Sequence, residues 1–287
     1  MADKDPVGII GLGVMGSAMS RHILTGGHEV VGFDIDPARR QEFSGTAVQS
    51  VAEVARHTPI ALFSLPSSEA LAQVAAEFAE SASPGTIAVE MGTLPLADKE
   101  AAQALLAPSQ VDLLDAPVSG TGLQAADATL VVYSSGDDHA HQRVAPIFDL
   151  VGKQTFYLGA FGNGTRIKFV ANLLVAVHTL AAAEAHQLGS ACGLDPDLVQ
   201  EVIAAGVGSS AMFEIRGPMM AAGTYDPPSA RLAIILKDAG IIADHARSLD
   251  TPTPLLDAAV PFYRAAVEAG LGDLDAAALR QLLRDLV

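Results

Sequence analysis

Through the first half of the chain, short runs of consecutive apolar residues alternate with segments whose apolar positions recur at helical spacing. An apolar run without polar alternation suits a strand buried on both faces, and its alternation with helices is the βαβ pattern of a parallel sheet. Val7-Gly8-Ile9-Ile10 reads as the first strand, followed by a helix over Val14–Thr25 that Gly26-Gly27 stops. Residues 29–33 read as the next strand, with Asp34 at its carboxyl end, and Pro37 suits the first turn of a short helix. Further strands are predicted at Ile60–Phe63, Ile87–Glu90, 111–115 and 129–133. Helices are predicted at 67–79, Leu96–Leu106 and 137–150, the last capped by Asp137 or Asp138.

After Thr155-Phe156-Tyr157 the pattern changes, and from Gly164 onward almost everything reads as helix. One long helix is predicted over about 165–191, spanning ~40 Å at 1.5 Å per residue. Shorter helices follow near 196–205, 230–248, 253–269 and 274–286. The expectation is an α/β chain in two domains, with no internal repeat. Residues 1–162 form a Rossmann-type doubly wound, mostly parallel sheet that binds a dinucleotide. Residues 163–287 form an all-helical domain for substrate binding and oligomerisation, reached through the long helix.

Composition narrows the partners. Half of the 287 residues are hydrophobic and only 17% are charged, which suits a packed core and not a disordered chain. The formal net charge of −16 leaves no basic stripe for nucleic acid or an anionic membrane surface. An anionic small substrate would need a local positive well built against that field. One cysteine, Cys192, excludes an internal disulfide framework and fits a reducing compartment. The charged start lacks the apolar stretch of a secretory signal. The most membrane-like segment, 169–185, carries Asn172, His178, Thr179 and Glu184 and falls short of an uninterrupted apolar span. These features predict a cytoplasmic protein.

Gly11-Leu12-Gly13-Val14-Met15-Gly16 follows a predicted strand and opens a predicted helix. In that context Gly11 makes a tight turn, Gly13 admits a pyrophosphate close to the backbone, and Gly16 allows close helix–strand packing. The helix N-terminus then offers N–H groups and positive dipole to the phosphates. Asp34 lies at the end of the next strand, about 20 residues beyond the motif, where a carboxylate accepts ribose hydroxyls and repels a 2′-phosphate. NAD is therefore favoured, with NADP possible. Arg39 and Arg40 fall within the following helix and read as solvated face residues.

With these motifs the chain resembles the β-hydroxyacid dehydrogenase family, which includes 3-hydroxyisobutyrate and tartronate-semialdehyde enzymes. The resemblance covers nearly the whole chain and rests on motifs that occur in the family's order. After the glycine loop, extended by Ser17-Ala18-Met19, come Leu65-Pro66 and Gly92-Thr93, which look like cofactor-contacting loops. Asp115-Ala116-Pro117-Val118-Ser119-Gly120 looks like the substrate loop, and the segment from Gly162 through Lys168 to Asn172 looks like the catalytic helix. Lys237-Asp238 matches a later Lys-Asp pair. The resemblance implies that Lys168 is catalytic and that Ser119, Gly120, Thr121, Asn172 and Lys237 bind the substrate. Gly11, Leu12, Gly13, Val14, Met15, Gly16, Asp34, Leu65, Pro66, Thr93 and Lys237 would bind the cofactor. The helical half would close over the substrate and form dimers or tetramers.

The chemistry suits these residue types. Oxidising an alcohol requires hydride removal from carbon and proton removal from oxygen, and the protein supplies the base. Lys168 and Asn172, spaced i and i+4, share one helix face. A lysine serves as base only when its pKa is brought toward neutrality, by desolvation or by a second cation such as Lys237. The two lysines would also form the positive well for an anionic acid. Ser119-Gly120-Thr121-Gly122 would form a turn whose N–H groups hold a carboxylate. Thr121 departs from the second of two glycines usual in the family, and is expected to narrow or polarise the pocket.

Other features read as structural. His139 and His141, beside Asp137 and Asp138, match no standard zinc spacing, and no metal is expected. His178 falls on a different helix face from Lys168, Cys192 lacks an activating pattern, and Asp273 to Asp275 look like a helix cap. The expected activity is hydride transfer between NAD and a small 3-hydroxy acid, of the 3-hydroxyisobutyrate, glycerate or aldonate type. Alternatives on the same fold are a decarboxylating sugar-acid dehydrogenase, an imine reductase-like enzyme that would lack the lysine, or a non-catalytic NAD-binding sensor.

Overall fold

The apolar runs up to residue 115 become strands of one parallel sheet, whereas the run predicted at 129–133 enters a second, smaller sheet. A computed structural model describes residues 4–286. In chain order, β1 (Val7–Ile10), α1 (Val14–Thr25), β2 (Val30–Phe33), α2 (Pro37–Glu42), β3 (Thr46–Ala47) and α3 (Val51–His57) form the first half of the sheet. The second half comprises β4 (Ile60–Phe63), α4 (Ser68–Ser81), β5 (Ile87–Glu90), α5 (Leu96–Leu106) and β6 (Asp112–Asp115). Among the described residues these six strands pair in parallel in the order β3-β2-β1-β4-β5-β6. The order reverses between β1 and β4, the point where open α/β sheets bind ligands beyond the carboxyl ends of their strands.

Alternate residues of each strand serve opposite faces, which is why the runs carry no polar alternation. Val7, Ile9 and Leu62 pack with Met19 and Ile23 of α1 on one side. Ile10 and Phe63 pack with Val54 of α3 and Phe78 of α4 on the other. A smaller sheet follows, from β7 (Val118–Ser119), α6 (Gly122–Ala126), β8 (Leu130–Ser134), α7 (Asp138–Val151) and β9 (Gly152–Tyr157). In it β7 runs antiparallel and β9 parallel to β8. Asp137 caps α7 by accepting from the Ala140 N–H.

The long helix, α8 (Asn163–Ala191), is followed by α9 (Pro196–Ala204), α10 (Ala211–Ala222), α11 (Leu232–Ser248), α12 (Pro254–Ala266) and α13 (Leu279–Asp285). The chain divides into two units, one ending at Lys168 and the other beginning at Phe169. The second unit has its own core, where Ala176, Leu180 and Ala183 of α8 meet Phe213, Ile242 and Tyr263. Small alanines let these helices approach closely, consistent with a chain that has no Trp.

Three expectations need correction. α3 and α10 were not predicted; both begin at serine caps, Ser50 and Ser210, but α3 is short and Gly217-Pro218 inside α10 reads as a breaker. The membrane argument also changes, because α8 is long and apolar enough by length and composition alone to cross a bilayer. It instead contributes Phe169, Ala176 and Leu180 to the helical core and buries the polar side chains of Asn172, Thr179 and His186.

Candidate functional site

The glycine loop follows β1 and enters α1 as the sequence requires. Gly11 has φ +95°, and a Cβ there would stand 2.2 Å from the Ser64 carbonyl oxygen. A Cβ on Gly16 would lie 1.9 Å from the Gly11 carbonyl, so the helix can seat only with glycine at that position. Gly13 differs, since a Cβ there would meet nothing nearer than the Arg39 guanidinium at 3.6 Å. That open side, beside the uncapped N-terminus of α1, leaves room for a phosphate at the positive end of a helix. The loop therefore fits a dinucleotide.

Asp34 is buried at the end of β2, where its Oδ2 accepts the Leu12 N–H at 2.7 Å and its Oδ1 accepts the Asp36 N–H at 2.9 Å. The carboxylate is thus oriented by backbone and tied to the glycine loop itself. The expectation that Arg39 and Arg40 are merely solvated is corrected here. Arg39, 52% exposed, brings Nη1 to 3.3 Å from Asp34 Oδ2, while Arg40 donates to the Asp34 carbonyl at 2.5 Å. Both belong to α2, but their long side chains reach back to the strand end.

Leu65 and Pro66 follow β4, and Thr93 follows β5. With β2, β1, β4 and β5 consecutive in the sheet, the glycine loop, Asp34 and these two loops all leave from one edge. Ser119 ends β7, paired with Val131, and Gly120 follows it. Thr121 has a local role that the sequence reading missed: it caps α6 in a reciprocal box with Gln124. Its N–H donates to Gln124 Oε1 at 2.8 Å, and its hydroxyl also donates to that oxygen. One N–H of the expected carboxylate-holding turn is therefore engaged within the cap.

Lys168 is 8% exposed and lies on α8, one turn before Asn172, so the two occupy consecutive turns of one helix face. The buried Asn172 amide donates to Asp238 Oδ2 at 2.8 Å. Lys237 Nζ lies 3.1 Å from the other carboxylate oxygen of Asp238. The structure thus joins two predicted residues, Asn172 and Lys237, through a carboxylate to which sequence reasoning gave no role. The available signal was its place directly after Lys237 on α11. His141, set aside as a metal ligand, stacks on Tyr157 at 4.6 Å and meets the Ser134 hydroxyl at 3.0 Å.

Strand order, glycine loop and strand-end carboxylate define an α/β unit suited to bind a dinucleotide, followed by a helical unit. Comparison with known proteins makes the class particular. Residues 6–159 match the profile described as the NAD binding domain of 6-phosphogluconate dehydrogenase. Residues 162–283 match the NAD-binding profile of NADP-dependent 3-hydroxyisobutyrate dehydrogenase. The chain is 34% identical to L-threonate dehydrogenase of Cupriavidus necator, over 95% of this chain and 94% of that protein. A crystal structure of 3-hydroxyisobutyrate dehydrogenase from Salmonella typhimurium superposes with a TM-score of 0.88 at 31% identity, covering 97% of this chain and all of that one. The Mycobacterium tuberculosis 3-hydroxyisobutyrate dehydrogenase with L-serine gives 0.89 at 28% identity, covering 98% and 99%. The chain belongs to the NAD(P)-dependent β-hydroxyacid dehydrogenase family, as the motif resemblance implied.

Proposed function

We propose that this protein transfers a hydride between NAD and a small 3-hydroxy acid, with Lys168 as the general acid and base. The observation that carries the reading is the placement of Lys168 and Asn172, both buried, in consecutive turns of α8. Similarity to L-threonate dehydrogenases favours an aldonate within the range of 3-hydroxyisobutyrate-, glycerate- and aldonate-like acids. A bound oxidised nicotinamide supplies the acceptor for the hydride that leaves the carbinol carbon.

The chain's residues handle the proton and the geometry. The uncharged Lys168 amine takes the hydroxyl proton and becomes an ammonium as the carbonyl forms, and it returns the proton in the reverse direction. Asn172 orients the reacting oxygen, its own amide being fixed by Asp238. Ser119 and Gly120 hold the acid, with the capped Thr121 shaping the loop beside it, and Lys237 adds positive charge against the net −16 of the chain. Gly11, Leu12, Gly13, Val14, Met15 and Gly16 cradle the dinucleotide phosphates, with Leu65, Pro66 and Thr93 lining the same edge. Asp34 favours NAD by repelling a 2′-phosphate, and the half-exposed Arg39 beside it leaves room for weaker use of NADP.

In this reading residues 1–162 serve as the cofactor domain and 163–287 as the domain for substrate binding and assembly. The protein works in the cytoplasm as a homodimer or homotetramer. The exposed Leu188 near the end of α8, Leu194 in the turn that follows, and Leu198 and Val202 on α9 support association with further copies of this chain.

The test is reduced-nicotinamide absorbance with NAD and NADP across 3-hydroxyisobutyrate, glycerate, threonate and other short aldonates. Turnover with NAD is expected, and Lys168→Ala should lower kcat by roughly 10²–10⁴ without weakening NAD binding. A variant that keeps most of its turnover would remove Lys168 from the mechanism, and silence with every acid would remove the substrate class.

A further inference from the structure

A second lysine lies deep in the first unit. Lys99, on α5, is 0% exposed, and its ammonium meets three groups, an ion-pair contact with Glu90 and hydrogen bonds to Asp115 and Gly92. Nζ stands 2.5 Å from Glu90 Oε2 and 2.9 Å from Asp115 Oδ1, and it donates to the Gly92 carbonyl at 2.9 Å. Burial works against its charge, but the two carboxylates prevail and hold Lys99 above the ordinary lysine value. Glu90 and Asp115 are register partners at the ends of β5 and β6.

Asp115 in turn holds the start of α8. Its Oδ2 accepts the Thr165 N–H at 2.7 Å, and its Oδ1 accepts the Thr165 hydroxyl at 2.7 Å. The Ser135 hydroxyl lies 3.2 Å from Oδ2 and accepts the Gly164 N–H at 2.9 Å. A Cβ on Gly164 would fall 2.2 Å from the Tyr133 carbonyl, so the helix begins directly against backbone. A buried anion at a helix N-terminus is favoured by the dipole and satisfies N–H groups that have no partner within the helix.

Each segment held by this cluster leads within about a turn to a residue of the proposed site. Gly92 precedes Thr93, Asp115 opens the loop to Ser119, and Thr165 stands one turn before Lys168. Stability alone is a weak reason to bury such charges, because well-packed apolar residues of similar volume often serve as well or better. We propose that Lys99, Asp115 and Thr165 are positioning residues, which fix the first turn of α8 and thereby the place of the Lys168 amine relative to the cofactor and substrate loops. This rests on the reading of Lys168 as the proton-transfer group.

The test compares Thr165→Val, which removes the hydroxyl donor at nearly constant shape, with Thr165→Ser, which keeps it. Two readouts are taken: steady-state kinetics, and the rate at which an amine-directed acetylating reagent labels Lys168 against the exposed Lys153, followed by mass spectrometry. In Thr165→Val, kcat is expected to fall about 10- to 100-fold, with KM for the acid and for NAD nearly unchanged. Lys168 labelling should rise severalfold while Lys153 labels as before, and Thr165→Ser should restore both. Ser135→Ala, read the same way, replaces Thr165→Val if that variant does not fold. Unchanged Lys168 labelling, or a loss confined to KM, would overturn the proposal. If the wild type turns over no hydroxy acid but Thr165→Val still alters Lys168 labelling, the positioning stands and the assigned reaction falls.

Discussion

Each unit of this protein buries an ion pair, and the two are built for different purposes. In the first unit Lys99 meets Glu90 and Asp115 where the sheet hands its chain to the loops of the proposed site. In the second unit Arg216 meets Asp275 at 3.1 Å inside the helical core and also donates to Thr179 of α8 at 3.1 Å. Asp275 further accepts the Ser229 hydroxyl and the N–H groups of Ser229, Ala230 and Ala277. The Asp275 bonds fix a loop and a short helical turn that carry no residue of the proposed site, and Thr179 lies about two turns beyond Asn172 on α8, away from the helix start that Asp115 holds. Equal burial and similar hydrogen bonding therefore do not mean equal function. What separates the clusters is the segment that each one holds.

The largest expected effects test this directly. Lys99→Met leaves two carboxylates, Glu90 and Asp115, buried without their cation and Arg216→Met leaves one, Asp275, and each variant should lose at least about 3–5 kcal/mol of stability, measured by chemical denaturation. Below the unfolding transition the two should diverge. Arg216→Met should keep a kcat near that of the wild type, whereas Lys99→Met should lose kcat by at least about tenfold while still binding NAD. Equal kcat in the two folded variants would break the distinction between a positioning cluster and a structural one.

Titration sharpens the comparison with smaller effects. Burial opposes ionisation of Asp275, but Arg216 and the Ser229, Ala277 and Ala230 hydrogen bonds prevail and hold it below its ordinary value of 3.8. A lowered carboxylate contributes stability above its unfolded pKa and loses it as pH falls through the folded value, so this contribution fades in acid. Lys99, held above its ordinary 10.5, contributes fully below that value and loses its share as pH rises through the folded one. Burial also pushes the Tyr263 hydroxyl up, which gives the second unit an alkaline loss of its own. The alkaline limb must therefore be read as the difference between wild type and Lys99→Met, and the acid limb as the difference from Asp275→Asn. Hydrogen exchange in peptides of each unit should place the acid effect in the second and the Lys99 effect in the first.

The sequence made one of these layers readable and left the other hidden. Strands buried on both faces appear as unbroken apolar runs, so β1, β4 and β5 could be bounded to the residue. Asp34 was legible because the glycine loop sets the distance at which to look. Lys99, Glu90 and Asp115 form one cluster only through the sheet register and the return of α5, and spacing does not encode that contact. A signal did exist: Lys99 lies on the stripe of α5 that buries Leu96, Ala102 and Leu106, where an unpaired lysine would be costly. Arg39 escaped for a related reason, since helical position says where a backbone lies and not how far a long side chain reaches. Ser50 at the cap with Glu53 in the first turn of α3 was likewise a readable helix start, hidden by the brevity of the element.

The smallest expected effect concerns a neutral group on the loop that Asp115 opens. Thr121 spends its hydroxyl and its N–H on Gln124, so its departure from the family's glycine is explained first as a cap on α6. Exchanging a threonine cap for glycine costs only a few tenths of a kcal/mol, so Thr121→Gly should leave the denaturation midpoint almost unmoved. If the loop matters through its stiffness, Thr121→Ser should preserve the order in which acids are turned over, because serine keeps the cap. Thr121→Gly should then shift that order by a few-fold in kcat/KM without a large loss for the best acid. A shift of equal size in both variants would assign the effect to the threonine methyl, as a wall of the pocket. No shift in either would leave Thr121 with the cap alone, and would confine acid selection to Ser119, Gly120, Asn172 and Lys237. In each case the loss should stay far below that of Lys99→Met, because a cap orders one short helix while the buried ammonium holds three segments at once.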